Sequence, residues 1–416
     1  MEHLSTVIAI PVFLLLILIE YFSTRKAHPE YYRLNDALTN LNVGVSHLLF
    51  KLLTTGLMFG AYVWVKDHFA LVHLTGFWAY AIVFVLFDCC LYLAHGYGHE
   101  FNLFWGAHIV HHQSEEYNLT VALRQSWIHS LLAFIFFLPI AFLGVDILTL
   151  GIVASLNSFY QFWIHTKAVQ RMPKWFEAIF NSPAHHRVHH GVNPKYIDKN
   201  HAGMFIIWDK MFGTFQEEEE EPTYGITKPM NSWNPAWSNV HYYVEMYQSG
   251  KKMKNIKDKL KLVFARPGWQ PDYLGGQIKV TEPDVRHQKY DLQAASRGLN
   301  IYVLVQFAFI IIGLSAYLYH FEKLSLFFQV LAFAVLMLST VICSAILEQK
   351  TWVKYAEYFR LMLAIVGLNS LYYINFNSWF YVVLIPSLLI TAYFIVWYTM
   401  NIHNRHLIKE MAVKRS

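Results

Sequence analysis

Apolar blocks of about 20 residues recur along this chain, each long enough to cross a hydrocarbon layer of about 30 Å, and that length confines the fold to helices packed in a bilayer. The blocks read as spans at 5–24, 41–65 and 74–94, an apolar hairpin at 128–164 that turns at 144–146, and four more spans at 299–319, 324–346, 359–376 and 379–400. The expected architecture is an all-α, polytopic integral membrane protein of about nine transmembrane helices. The first block is longer than a signal-peptide core and lacks a small-residue cleavage site, so it reads as a retained anchor. The 416 residues are 55% hydrophobic and 15% charged, too apolar for an ordinary soluble protein.

The loops orient the spans. Arg25, Lys26 and Arg33 lie between the first two, Lys350 and Lys354 between the seventh and eighth, and Lys409, Lys414 and Arg415 close the chain. The opposite loops hold only Lys66 and Lys323. Positive loops face the cytosol, so the N-terminus is expected outside and the C-terminus in the cytosol. The bacterial inner membrane and the endoplasmic reticulum both satisfy this pattern. Four regions follow: N-terminal transmembrane helices at 1–79, a histidine-rich domain at 80–230, a polar cytosolic segment at 231–298, and a four-helix transmembrane region at 299–416.

The net charge of +5 is spread through loops and gives no basic patch on a soluble fold, which excludes nucleic-acid binding. Cys89 and Cys90 lie inside an apolar run and Cys343 stands alone, so no disulfide framework exists and packing is their role. The acidic run at 217–221 and the basic run at 251–261 read first as solvated faces, with contact to anionic lipid the alternative for the lysines. Gly275 and Gly276 mark a turn. No internal repeat is present.

Ten of the 22 histidines fall in four short stretches: His95 and His99; His108, His111 and His112; His165; and His185, His186, His189 and His190. Spacings of three and four place imidazoles on one helical face, and neutral imidazole is the commonest metal ligand. Ten candidates exceed the three or four protein ligands of a single zinc site, so two ions with four or five nitrogens each are expected, on the cytosolic side at or just past the span ends. All-nitrogen ligation disfavours Mg²⁺ and Ca²⁺ and suits iron, zinc, copper or nickel. A two-iron site of this kind fits O₂ activation. His185 is the least securely placed, and either ligates or points away. His165 shares a helical face with Asn157 and Gln161.

Asp88 lies in mid-span, where a carboxylate is costly and marks function. It falls on one stripe with Tyr92, His95 and His99. It is expected either to receive the distal N–H of a ligand histidine or to bond helix to helix. Glu100 is a ligand, a proton relay, an acceptor behind a ligand, or a surface residue. His3, His28, His68, His73, His241, His287, His320, His403 and His406 are expected in solvent, and His47 and His129 to satisfy a neighbour.

These residues resemble the membrane fatty acid hydroxylase/sterol desaturase superfamily, whose hallmark is HxxxH, HxxHH and HxxHH in this order. The matching segments are AHGYGHE (94–100), AHIVHHQSEEYNLTVALRQS (107–126), QFWIHT (161–166), NSPAHHRVHHGVN (181–193) and DKNHAGMFIIWDKMFGTF (198–215). Within the superfamily the chain is most similar to the alkylglycerol monooxygenase branch, through ALRQS, QFWIHT, YGITKP (224–229) and the four C-terminal spans. The resemblance implies two Fe²⁺ ions, O₂ and tetrahydrobiopterin, and hydroxylation of the carbon beside the ether oxygen of an alkylglycerol, giving fatty aldehyde and a glycerol derivative. The ligands it implies are His95, His99, His108, His111, His112, His186, His189 and His190, with His165 and His185. Glu100 matches the acidic position after HxxxH. Arg124 and Gln125 either hold the pterin, orient a ligand, or cap the hairpin. His201 stands where the branch often has Tyr, as a neutral exchange, an added group behind the ligands, or a mark of another substrate. A membrane lipid would bring its tail between the spans, past Phe134, Phe136, Phe137, Phe159 and Trp163, unless these aromatics face lipid or pack the bundle.

Two other functions fit parts of this pattern. A hydroxylase or desaturase of an acyl chain, sphingoid base or sterol would share the metal site and use another electron donor. A metal transporter would need polar groups through several spans, and here Asp88 is the main intramembrane charge.

Overall fold

The fold is that of a computed structural model, which describes residues 2–281, 283, 289–290, 296–375 and 379–413. The histidines expected in solvent at 3, 287, 403 and 406 lie outside the described side chains. Among the described residues every regular element is a helix, joined by turns and irregular segments, apart from one isolated antiparallel bridge between Phe180 and Phe205.

Six of these helices are long and apolar enough to cross a membrane: Thr6–Thr24, Pro29–Phe69, Gly76–Glu100, Arg297–Lys323, Leu326–Leu347 and Phe380–Ile402. Three expected spans do not meet that description. The outgoing limb of the hairpin is broken into a helical turn at His129–Ala133 and 3₁₀ pieces at Phe134–Phe136 and Leu138–Leu143, with Pro139 removing an N–H that a continuous helix would use. The return limb is a regular helix of 17 residues, Ile147–Trp163. The helix Val353–Asn375 carries Lys354, Glu357 and Arg360.

The chain divides into two compact units. One holds 16–231 and 236–289. Its helices are α1 (the end of Glu2–Thr24), α2 (Leu34–Phe69), α3 (Gly76–Glu100), α4 (Asn102–His112), α5 (Ile147–Trp163), α6 (Pro183–His189), α7 (Ile207–Phe212), α8 (Pro235–Lys252) and α9 (Ile256–Phe264). Tyr62, Val83, Phe87, Ile140, Ala141, Val145, Leu150 and Val153 form an apolar cluster between α2, α3, the hairpin and α5. Gly144 turns the hairpin at φ 65°, a backbone state that favours glycine. Asp146 then caps α5, accepting from the Thr149 N–H at 2.9 Å, which satisfies one of the orphan donors of that helix.

The other unit holds 1–15, 232–235 and 290–416, with α10 (Arg297–His320), α11 (Leu326–Leu347), α12 (Val353–Asn375) and α13 (Phe380–Val413). It buries an ion pair between Glu357 and Arg360 on α12. Arg360 donates to both Glu357 oxygens at 2.6 and 2.7 Å and to Gln306 Oε1 at 2.7 Å, and the Tyr302 hydroxyl donates to Glu357. A buried pair tolerates an apolar medium only when its remaining hydrogen-bonding capacity is met in this way.

Candidate metal centre

The histidines ride on elements whose ends are fixed locally. His95 and His99 sit one turn apart near the end of α3, and His108, His111 and His112 in the last two turns of α4. His165 follows the end of α5. Ser182 and Pro183 start α6, with the Ser182 hydroxyl accepting from the His185 N–H at 3.4 Å, a helix start in which proline loses no useful donor.

Nine of the ten candidate imidazoles converge into two groups. Nitrogens of His95, His99, His108, His112 and His189 lie within 4.8 Å of one another, and so do those of His111, His165, His186 and His190. The Nε2 of His108 is 2.9 Å from that of His95 and 3.0 Å from that of His112. In the second group His165 Nε2 is 3.1 Å from His111 Nε2 and 3.0 Å from His186 Nε2. The Nε2 atoms of His99, His189 and His190 are buried without a partner.

The opposite ring nitrogens explain this convergence. The Nδ1–H of His95 donates to the His201 carbonyl at 2.7 Å, that of His111 to the Arg124 carbonyl at 3.0 Å, that of His165 to the Gln161 carbonyl at 2.7 Å, and that of His189 to the Lys199 carbonyl at 2.9 Å. A carbonyl only accepts, so the proton sits on Nδ1 and the lone pair on Nε2 faces inward. Burial, with neighbouring imidazoles adding to it, holds His108, His111, His112, His186, His189 and His190 well below their ordinary pKa, and burial brings His165 to about 4. A cluster of neutral inward lone pairs, with no carboxylate in either group, is a donor set for one or more borderline metal ions. The residues present therefore fit metal binding.

The other expected site residues lie around these groups. His185 belongs to neither; its ring lies 5.4 Å from Phe215. Asp88 touches no histidine. It accepts from the Asn157 amide at 2.7 Å, the Met204 and Phe205 N–H groups at 2.7 and 3.0 Å, and Trp208 Nε1 at 2.9 Å. It thereby pins the 203–208 segment to α3. The approach is so close that a Cβ on Gly203 would stand 2.8 Å from the carboxylate. Glu100 turns outward to a two-pronged pair with Arg266, at 2.6 and 2.7 Å. Arg124 is fully buried and bonds to the Val110 carbonyl, Asn40, Gln113 and Ser238. The Gln125 amide lies 3.4 Å from His111 Nδ1.

The aromatics proposed for a tail path separate. Phe134 and Phe137 pack on the apolar cluster, Phe159 faces outward, and Phe136 stands 5.9 Å from Phe104. Phe104 helps line a small cleft, about 200 Å³ including its open mouth, with Ala94, Gly98, Ala107, His129, Leu132 and Ala133. The His129 ring is 5.2 Å from that of His108. His47 meets the Ser126 carbonyl at 2.6 Å.

Several residues take places that sequence reasoning leaves open, misses or sets in solvent. His201 is buried with its ring 4.9 Å from His99 and 5.6 Å from His189. Glu20, at the end of α1, accepts from the Leu119 N–H at 2.9 Å and from Thr166, next to His165. His241, expected in solvent, is buried against the Ser238 carbonyl and Gln113. The acidic run is only partly a solvated face, because Glu218 pairs with Arg187 inside the fourth histidine stretch.

Helices long and apolar enough to cross a membrane, together with buried all-imidazole groups that could hold metal, place the chain in the fatty acid hydroxylase class, and residues 80–214 match the fatty acid hydroxylase family. The chain is 34% identical to a Danio rerio alkylglycerol monooxygenase over 361 residues, covering 85% of this chain and 80% of that one. It is 35% identical to the Xenopus tropicalis protein of that name over 294 residues (70% and 65% covered), and 36% identical to the Homo sapiens one over 279 residues (66% and 62%). The chain belongs to the alkylglycerol monooxygenase family. No solved structure matches it.

Proposed function

We propose that this protein is an O₂-dependent membrane monooxygenase of ether lipids. It hydroxylates the carbon beside the ether oxygen of an alkylglycerol. One oxygen atom of O₂ enters that C–H bond and the other leaves as water, with two electrons and two protons from the donor. The resulting hemiacetal breaks its C–O bond to give a fatty aldehyde and a free glycerol hydroxyl. The observation that carries the reading is the pair of inward-facing imidazole groups in a chain of this family.

Two iron ions bound there would supply the O₂-activating chemistry. His95, His99, His108, His112 and His189 would hold one, and His111, His165, His186 and His190 the other. The chain's own part is orientation. Main-chain carbonyls fix the ring tautomers, Asp88 fixes the segment that supplies the His201 carbonyl, and Arg124 fixes the strand of backbone whose carbonyl holds His111. Burial keeps water and protons from the lone pairs. Tetrahydrobiopterin as donor follows from the resemblance described above, with Gln125 the one of the two expected contacts whose side chain comes within 3.4 Å of a ligand ring.

In this reading the catalytic region is 80–230, flanked by membrane helices at 1–79 and 299–416 and by the polar segment 231–298. The centre faces the cytosol. Three N-terminal and four C-terminal spans give an odd number whether the hairpin crosses fully, making nine, or re-enters, so the chain ends lie on opposite sides either way.

The test is anaerobic loading of the purified full chain with Fe²⁺, then O₂ and tetrahydrobiopterin, against ether lipids, acyl lipids and sterols. Fatty aldehyde from ether lipids alone is the expected result. Hydroxylated acyl lipid or sterol with ether lipids untouched overturns it.

A further inference from the structure

We propose that α9 is an interfacial helix that docks the catalytic unit onto acidic phospholipid beside the metal centre. The argument begins with the sequence of the basic run. Between 251 and 261 stand six lysines (251, 252, 254, 257, 259 and 261) and one acidic residue, Asp258. All six lysines are exposed, whereas Asp258 is half-buried and is occupied as an acceptor from the Tyr273 hydroxyl at 2.7 Å.

The helix itself has two apolar faces. Leu262 is buried on the inner one. On the outer one Ile256, Leu260 and Phe264 recur every four residues and are 68%, 61% and 61% exposed. A helix lying against a protein in water needs only the first face. Lys257 and Lys261 flank the outer stripe on one side and Lys259 on the other, by their angular positions at about 100° per residue. An apolar stripe bordered by lysines is the pattern of a helix lying in the plane of a membrane surface, with stems buried and ammonium groups at the phosphates.

The anchoring of α9 supplies its depth. Asn102, two residues beyond the end of the spanning helix α3, donates its side-chain amide to the Leu262 carbonyl at 2.8 Å and its N–H to the Ala265 carbonyl at 2.9 Å. Arg266 is paired with Glu100, the last residue of α3. The helix is thus fastened where a span leaves the hydrocarbon, which is the level of the phospholipid headgroups. Charge decides the partner: six lysines face an anionic surface favourably and a second copy of the same basic helix unfavourably.

The proposal is tested on the full chain in nanodiscs that hold one copy each. A spin label is placed at Leu260→Cys, with Cys89, Cys90 and Cys343 replaced by Ala, and at Glu219→Cys as a water-exposed control. With phosphatidylserine in the disc, oxygen is expected to relax the 260 label more strongly than a nickel chelate does, and the reverse is expected at 219. Phosphatidylcholine alone, or Lys257→Gln, Lys259→Gln and Lys261→Gln together, should raise nickel access at 260 several-fold. Equal nickel access at 260 and 219 in phosphatidylserine discs overturns the proposal. Shielding of 260 only in discs carrying two copies overturns it as well and assigns the stripe to self-association.

Discussion

Arg187 and Glu218 meet in a two-pronged pair, Nε to Oε1 at 2.6 Å and Nη2 to Oε2 at 2.7 Å, in the middle of the helix that carries His186 and His189. Arg187 also donates to the carbonyls of Thr166, Val169 and Gln170. One buried cation therefore ties the fourth histidine stretch to the segment after His165. The side chains supply ligands to the same group of four, so the tie sets how that group closes.

Removing Glu218 leaves Arg187 buried with carbonyl partners only. An uncompensated buried charge costs about 3 kcal/mol, so Glu218→Ala is expected to lower the thermal unfolding temperature and the metal content together. Glu218→Asp, which keeps the charge, should recover part of both. Thermal unfolding in detergent and elemental analysis check this. A metal content unchanged in Glu218→Ala would free the pair from any part in shaping the group of four.

Asp88 accepts four hydrogen bonds from four separate groups in a fully buried place. Asp88→Asn keeps the shape but turns an amide donor toward groups that are themselves donors. The expected loss is about 3 kcal/mol of stability, with turnover falling further than metal content, since no histidine bonds to this carboxylate. Wild-type stability in Asp88→Asn would contradict that account.

Glu100 gives the contrary expectation. Its side chain is 36% exposed and pairs with an Arg266 side chain that is 68% exposed, and such surface pairs contribute about 0–1 kcal/mol. Glu100→Gln is expected to keep turnover within about twofold of wild type and to leave metal content alone. A large fall in kcat with an unchanged pH profile of metal binding would restore the carboxylate to a place in the chemistry.

The pH dependence follows from the depressed imidazoles. Burial holds His108, His111, His112, His186, His189 and His190 well below the ordinary value of 6.5. Below 6.5 an unfolded histidine binds a proton that its folded counterpart refuses. The stability these groups contribute is therefore fully present above 6.5 and is lost as pH falls from there toward their folded values. Ligand protonation works in the same direction. Metal content after gel filtration should be flat above about pH 7 and fall steeply and cooperatively below about 6. A shallow one-proton curve would mean that a single group controls release.

Much of this was legible in the chain because two periodicities carry it. Apolar length gave the spans at α1, α2, α3, α10, α11 and α13, and spacings of three and four gave the histidine faces. The hairpin's broken limb was less legible, since hydropathy is blind to whether the backbone around Pro139 stays helical. The span read at 359–376 falls on α12, which is not among the six helices long and apolar enough to cross a membrane, and its Glu357 and Arg360 meet each other only once folded. Partners far apart in sequence were not legible at all. Asp88 lies on the same helical stripe as His95 and His99, yet its carboxylate is claimed by Trp208 and two main-chain N–H groups more than 100 residues away. The carbonyls of Lys199 and His201 that orient His189 and His95 have no side-chain signature. Asp198 and Asn200, at φ 56°, are the trace they leave, because Asp and Asn tolerate that left-handed state.

The two groups make separable predictions about stoichiometry. The wild-type chain loaded with Fe²⁺ should hold about two ions, one for each set of four or five imidazoles. His165 lies only in the second group, with its Nε2 3.1 Å from His111 and 3.0 Å from His186. His165→Ala should therefore lose one ion and keep the other, and His112→Ala should weaken the first site while leaving four nitrogens to hold it. His185→Ala should keep both, since His185 faces Phe215 and belongs to neither group. Turnover should vanish in His165→Ala and persist in His185→Ala, because the chemistry needs both ions while the fold needs neither ring. Iron measured per chain in the three variants, beside aldehyde formation, decides the matter. Loss of both ions on removing His165 alone would mean that the nine rings bind their metals as one inseparable unit.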